Sequence, residues 1–99
     1  MNLTTWTAVN GLGVSINLND FEPRGGYELF LKQFCKFIHE EFLDWNQGIT
    51  EGIGHMTFRG YKLEVYWTDF PFALNFDCRD KTMADELRPS LLSFIPCYE

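Results

Sequence analysis

GHMTFRGYKLEVYWTDFPFALNFDC, residues 54–78, is the stretch that decides the fold. Apolar and polar residues alternate through three runs in it, ending at Phe58, Trp67 and Cys78. A period of two sends successive side chains to opposite faces, so the stretch reads as a three-stranded antiparallel meander with one apolar face. With Arg59-Gly60 as the first turn, Phe58 faces Tyr61 and Met56 faces Leu63 on the apolar side. Thr57 then faces Lys62, and His55 faces Glu64, on the other. Arg is unusual at the first position of a primed turn, which leaves a wider loop open there. A second turn at residues 68–71 sets Trp67 opposite Phe72, Val65 opposite Leu74 and Leu63 opposite Phe76. The same register brings Glu64 to Asn75 and Lys62 to Asp77, a favourable cross-strand charge pair.

Upstream, helical spacing predicts one long helix over residues 27–44. Tyr27, Phe30, Leu31, Phe34, Cys35, Phe37, Ile38 and Phe42 form a broad apolar arc on its wheel. Four Phe in that arc suit a helix lying across the whole sheet. Glu40, Glu41 and Asp44 fall in its last turns, where the helix dipole prefers cations. Glu41 also lies inside the apolar arc. Residues 45–54, with Gly48, Gly52, Gly54 and Glu51, read as a glycine-rich loop of the kind that often carries function.

At the amino-terminal end, residues 3–9 and 14–18 form a strand pair around an Asn10-Gly11 turn. A two-residue loop pairs Thr7 with Val14 and Thr5 with Ile16. A three-residue loop pairs Ala8 with Val14 and Trp6 with Ile16, and is preferred because it keeps the large apolar groups together. At the other end, Thr82 is the expected helix cap, with Asp85 three residues on. Arg88-Pro89 is expected to end or kink that helix. A short turn holding Leu91, Leu92 and Phe94 follows. The order is β-β-α-β-β-β-α. It predicts a single α+β domain over residues 1–99, with a five-stranded antiparallel sheet, helices on one face and the other face open.

Composition narrows the function classes. Aromatic residues make up 17% of the 99, too many for a disordered chain and enough for a dense small core. The formal net charge is −6, which disfavours binding to a phosphate backbone. No run approaches signal-peptide or membrane-span length. Three cysteines, odd in number and without C-x-x-C spacing, suit a reducing cytoplasmic compartment. Gly11-Leu-Gly13 lacks the remainder of a dinucleotide fingerprint, and the carboxylates match no calcium-loop or metal spacing, so no cofactor or metal is expected.

Two pairs hold what catalytic potential there is. Cys35 and His39 stand four apart on the expected helix, and His55 faces Glu64 across two strands. Neither has a third group in place, so a non-enzymatic binding role is preferred. Acidity and exposed aromatics point to a bacterial immunity or antitoxin protein that neutralises a basic toxin domain, such as a nuclease, by occlusion. The expected partner surface is Glu40, Glu41, Asp44, Trp45 and Glu51 at the helix end, with Glu64, Tyr66 and Asp77 on the open sheet face as a second patch. The alternatives are a cytosolic adaptor or assembly subunit, and a small enzyme built on either pair.

Overall fold

A computed structural model describes residues 2–7, 13–69 and 72–98. Six strands and two helices follow in the order β1 (Asn2–Thr7), β2 (Val14–Asn19), α1 (Tyr27–Phe37), β3 (Phe42–Gln47), β4 (Glu51–Phe58), β5 (Tyr61–Asp69), β6 (Phe72–Cys78) and α2 (Lys81–Tyr98). All neighbouring strands are antiparallel, in the spatial order β1-β2-β6-β5-β4-β3. The fold class is α+β, and the sheet has six strands where five are expected. After β2 the chain passes through α1 to the far edge of the sheet. It then returns strand by strand until β6 closes against β2.

The extra strand comes from an early helix end. α1 stops at Phe37, seven residues short of Asp44. His39 takes a left-handed backbone (φ 59°), its N–H bonds the Lys36 carbonyl, and the Glu40 N–H bonds the Cys35 carbonyl at 2.8 Å. This is the Schellman arrangement, with histidine where glycine usually sits. The chain that follows pairs with β4, and its register slips between Phe42 and Asp44, which leaves Leu43 as a bulge. Most of the expected glycine-rich loop is therefore strand, and only residues 48–50 connect β3 to β4. Gly52 and Gly54 make room for Trp45. A Cβ built on Gly54 would meet Trp45 Cε3 at 2.6 Å, and one on Gly52 would meet Trp45 Cζ2 at 2.7 Å.

The β4–β5 register is as read: Phe58 pairs with Tyr61, Met56 with Leu63 and His55 with Glu64. Arg59 and Gly60 both have positive φ (50° and 81°), so the turn is tight despite the arginine. The β5–β6 register differs by two residues, with Trp67 on Leu74, Val65 on Phe76 and Tyr66 on Asn75. A shift of two preserves the faces but changes the partners. Lys62 loses Asp77, and Glu64 stands opposite Asp77 instead. Part of the turn between these strands lies outside the described residues. In the first hairpin Thr7 pairs with Val14, Thr5 with Ile16 and Trp6 with Ser15, which corrects the preferred pairing. The Asn10-Gly11 turn itself lies outside the described residues.

α2 is one helix through Pro89 and Pro96. A proline inside a helix costs about 3 kcal/mol. Here Leu87, Leu91, Phe94 and Ile95 keep helical spacing on both sides of Pro89 and are all buried, and that burial offsets the cost. Its cap is Asp80 rather than Thr82, since Asp80 Oδ1 accepts the Met83 N–H at 2.9 Å. Asp85 instead pairs with Lys81 at 2.7 Å.

The core lies between the helices and one face of the sheet. Phe30 and Phe34 of α1 are fully buried, and their rings meet Phe94 of α2 at centroid distances of 5.4 and 5.5 Å. Ile16, Leu18, Leu63, Val65, Leu74 and Phe76 supply the sheet side. Phe37 does not join them fully. It is 45% exposed and touches only the flank of Phe94 among the described aromatic rings.

Candidate functional site: the open face of the sheet

The strand registers place residues of the sheet face opposite the helices in rows that cross the sheet, with Thr57 and Lys62 paired at the end nearer the β4–β5 turn. One row runs Asp44, His55, Glu64, Asp77, Ser15 from β3 to β2. The next runs Asn46, Ile53, Tyr66, Asn75, Asn17. Glu51, Thr68 and Ala73 follow in the third. The β3-to-β5 part of this face, with Asp77, borders an open groove of about 680 Å³, whose walls include Ile53, Glu51, Glu64, Tyr66 and Asp77.

Of the eight residues expected to bind a partner, five share this face: Asp44, Glu51, Glu64, Tyr66 and Asp77. Asp44 reaches it because β3 is a strand. Its Oδ1 lies 2.9 Å from His55 Nδ1, while His55 Nε2 lies 3.9 Å from Glu64 Oε1. His55 thus stands between two carboxylates, where the sequence pairs it only with Glu64.

The other three residues are placed differently. Glu40 is not in a helical turn. Its carboxylate accepts the Thr57 hydroxyl at 2.8 Å and the Arg59 N–H at 2.9 Å, and so ties the α1–β3 connection to the β4–β5 hairpin. The Glu41 backbone makes two bonds to Thr57, and its side chain is exposed. Trp45 lies on the helix-covered side over Gly52 and Gly54. It sits 6.2 Å from the Tyr27 ring and donates its indole N–H to Gln47. The conflict with the helix dipole disappears, because none of Glu40, Glu41 and Asp44 lies on a helix.

Charge pairing divides the molecule. Lys32–Glu28, Arg59–Glu86, Arg79–Asp80 and Lys81–Asp85 are paired at 2.7–3.1 Å, and every carboxylate among them belongs to a helix or a helix cap. Among the described residues, no Lys or Arg forms an ion pair with Asp44, Glu51, Glu64 or Asp77. Glu64 faces Asp77 directly across β5 and β6, a like-charge pairing that is unfavourable in a sheet.

Toward β6 and β2 this face is not exposed. Ser15, Asn17 and Asn75 are buried there, and the Asn75 amide donates to the Tyr66 carbonyl at 3.2 Å. The Ser15 hydroxyl donates to Asn17 Oδ1 at 3.2 Å. Burial and the nearby Asp77 push the Tyr66 phenol above its ordinary range.

Burial first, and then Glu64, also hold the Asp77 carboxyl above its ordinary range, against the lowering effect of the Ser15 hydroxyl. A raised value means that the folded chain holds this proton more tightly than the unfolded chain does. The resulting stabilisation is complete below the ordinary carboxylate range and is lost as pH rises through the raised value. Asp77→Asn should therefore be more stable than the parent at neutral pH, with the gap closing in acid. Urea unfolding of both proteins at neutral and acidic pH checks this. A neutral-pH loss on substitution would mean that the carboxylate is stabilising where it stands.

The thiol pair does not form. Cys35 is buried on the inner side of α1 against Met56 Sδ at 3.9 Å, and burial and Glu40 push its thiol up to about 12. His39 is exposed beyond the helix end. All three cysteines are free, and only Cys97 is exposed. Among the described residues no group of His, Cys, Asp and Glu is arranged to hold a metal ion, and no helix is long and apolar enough to cross a membrane. Comparison with known protein families, curated proteins and solved structures found no match to this chain.

Proposed function

We propose that the chain is a small acidic binding protein that neutralises a basic partner by covering its working surface through the open sheet face. The most specific form of this reading is a bacterial immunity or antitoxin protein, acting in the cytoplasm on a basic toxin domain such as a nuclease. One observation carries it: among the described residues the carboxylates of the open face lack Lys or Arg partners, and only His55 stands beside two of them, while the Lys and Arg ion pairs gather at the helices. Like charges that face each other on adjacent strands, as Glu64 and Asp77 do, cost stability in the isolated domain and are relieved by a cationic surface. A net charge of −6 would speed the encounter with such a partner.

Co-expression with the product of the adjacent gene, where that product is a basic toxin, tests the reading. Protection of growth by the parent chain, lost when Glu64→Gln and Asp77→Asn are combined, is the expected result. Undiminished protection by the folded double variant would refute the assignment to this face.

A further inference from the structure

Two adjacent rows of the open face combine features that suit one particular side chain. Ile53 and Tyr66 pair directly across β4 and β5, and one row away Glu64 and Asp77 pair across β5 and β6. All four line the same groove. Ile53 is 42% exposed, a large apolar group left at the surface. We propose that this groove is the docking surface for an arginine-bearing segment of a basic protein, with one guanidinium seated between Glu64 and Asp77 beside Tyr66.

The chemistry of the walls selects arginine. Carboxylates on adjacent strands are separated by roughly the 5 Å strand spacing. A planar guanidinium presents five N–H donors in a rigid fork and can bond two carboxylates at once, while its flat face lies against an aromatic ring. An ammonium is a point charge and is more strongly hydrated. The long methylene stem of arginine can lie along Ile53 while its charged head reaches the carboxylates. Charge complementarity commits the occupant to a basic partner. The half-buried Asp77, held against Glu64, gains most from a cation.

This inference rests on the proposed function for the origin of the arginine, and its test separates the two. The probes are N-acetyl-arginine amide and N-acetyl-lysine amide, titrated into the full chain and followed by amide proton–nitrogen spectra. Arginine amide should shift the Ile53, Glu64, Tyr66 and Asp77 amides in a saturable way, several-fold more tightly than lysine amide. Combining Glu64→Gln with Asp77→Asn should abolish the shifts in a protein whose spectrum remains dispersed, and Tyr66→Leu should weaken arginine more than lysine.

Equal binding of the two amides, shifts confined to other carboxylates such as Glu28 or Asp85, or no shifts would each overturn the guanidinium site. So would concentration-dependent broadening of the same amides without any probe, which would assign the face to a second copy of the chain. A basic toxin that binds this face although the arginine amide does not would remove the guanidinium site and leave the proposed function. Saturable arginine binding here, with protection of growth unaffected by the double variant, would do the reverse.

Discussion

Phe34→Ala should remove about 3–5 kcal/mol of folding stability, the usual cost of deleting a buried Phe ring. Phe34 is fully buried at the centre of the two-layer core. Its ring meets Phe30 of the same helix at 6.4 Å, Phe76 of β6 at 6.0 Å and Phe94 of α2 at 5.5 Å, so three elements line the space it would vacate. Rigid strands and a neighbouring helix leave little scope for collapse into the cavity, which places the cost toward the upper part of the range. Tyr66→Ala, on the uncovered face, removes a side chain that borders an open groove, and should cost less than about 2 kcal/mol. Urea denaturation of both variants checks the contrast. Equal losses would mean that both faces of the sheet are covered, which would contradict an open binding face.

Gly54→Ala should be the most damaging small substitution on the edge of the sheet, at about 3 kcal/mol, the upper part of the range for overpacking. The added methyl would strike the Asp44 carbonyl oxygen and stand 2.6 Å from Trp45 Cε3. The first obstacle is backbone, so the β3–β4 ladder must move. At Gly52 the nearest obstacle is the side-chain atom Trp45 Cζ2, at 2.7 Å. Trp45→Ala should therefore relieve most of the added cost of Gly52→Ala and little of the added cost of Gly54→Ala. A double-mutant cycle gives the coupling, and amide exchange along residues 42–47 should show β3 released in Gly54→Ala. Full protection of those amides would mean that the ladder absorbs the methyl without moving.

The two glycines show why part of this fold was hidden in the sequence. The alternating runs of β4, β5 and β6 were legible because period-two patterning survives a register error of two. The partners were not legible, since the same patterning admits Lys62 or Glu64 opposite Asp77, and the turn between β5 and β6 decides which. β3 was illegible for two reasons. Phe42 continues the apolar arc of α1, and the bulge at Leu43 breaks the alternation that would have marked a strand. No glycine or proline announces the helix end, because His39 takes the left-handed position.

The candidate site follows the same division. Glu64, Tyr66 and Asp77 could be placed together on one face by alternation alone. Asp44 joins them only once β3 is known to be a strand, and the same fact removes Glu40 and Trp45 from any common patch. The one signal for Trp45 was its position a few residues before Gly52 and Gly54, the spacing of a large ring laid over glycines on the next strand.

The most direct test of the central claim is the rate at which this chain associates with the proposed basic partner, measured across a salt series. Exposed charges are screened over about 8–10 Å at ordinary ionic strength. If the open face is the docking surface, the rate should fall steeply as salt rises, and Glu64→Gln combined with Asp77→Asn should flatten that dependence. Changing Glu28 and Asp85, which belong to the paired helical charges, should leave the dependence close to that of the parent. A rate that ignores both salt and the open-face variants, or that responds instead to Glu28 and Asp85, would contradict the account.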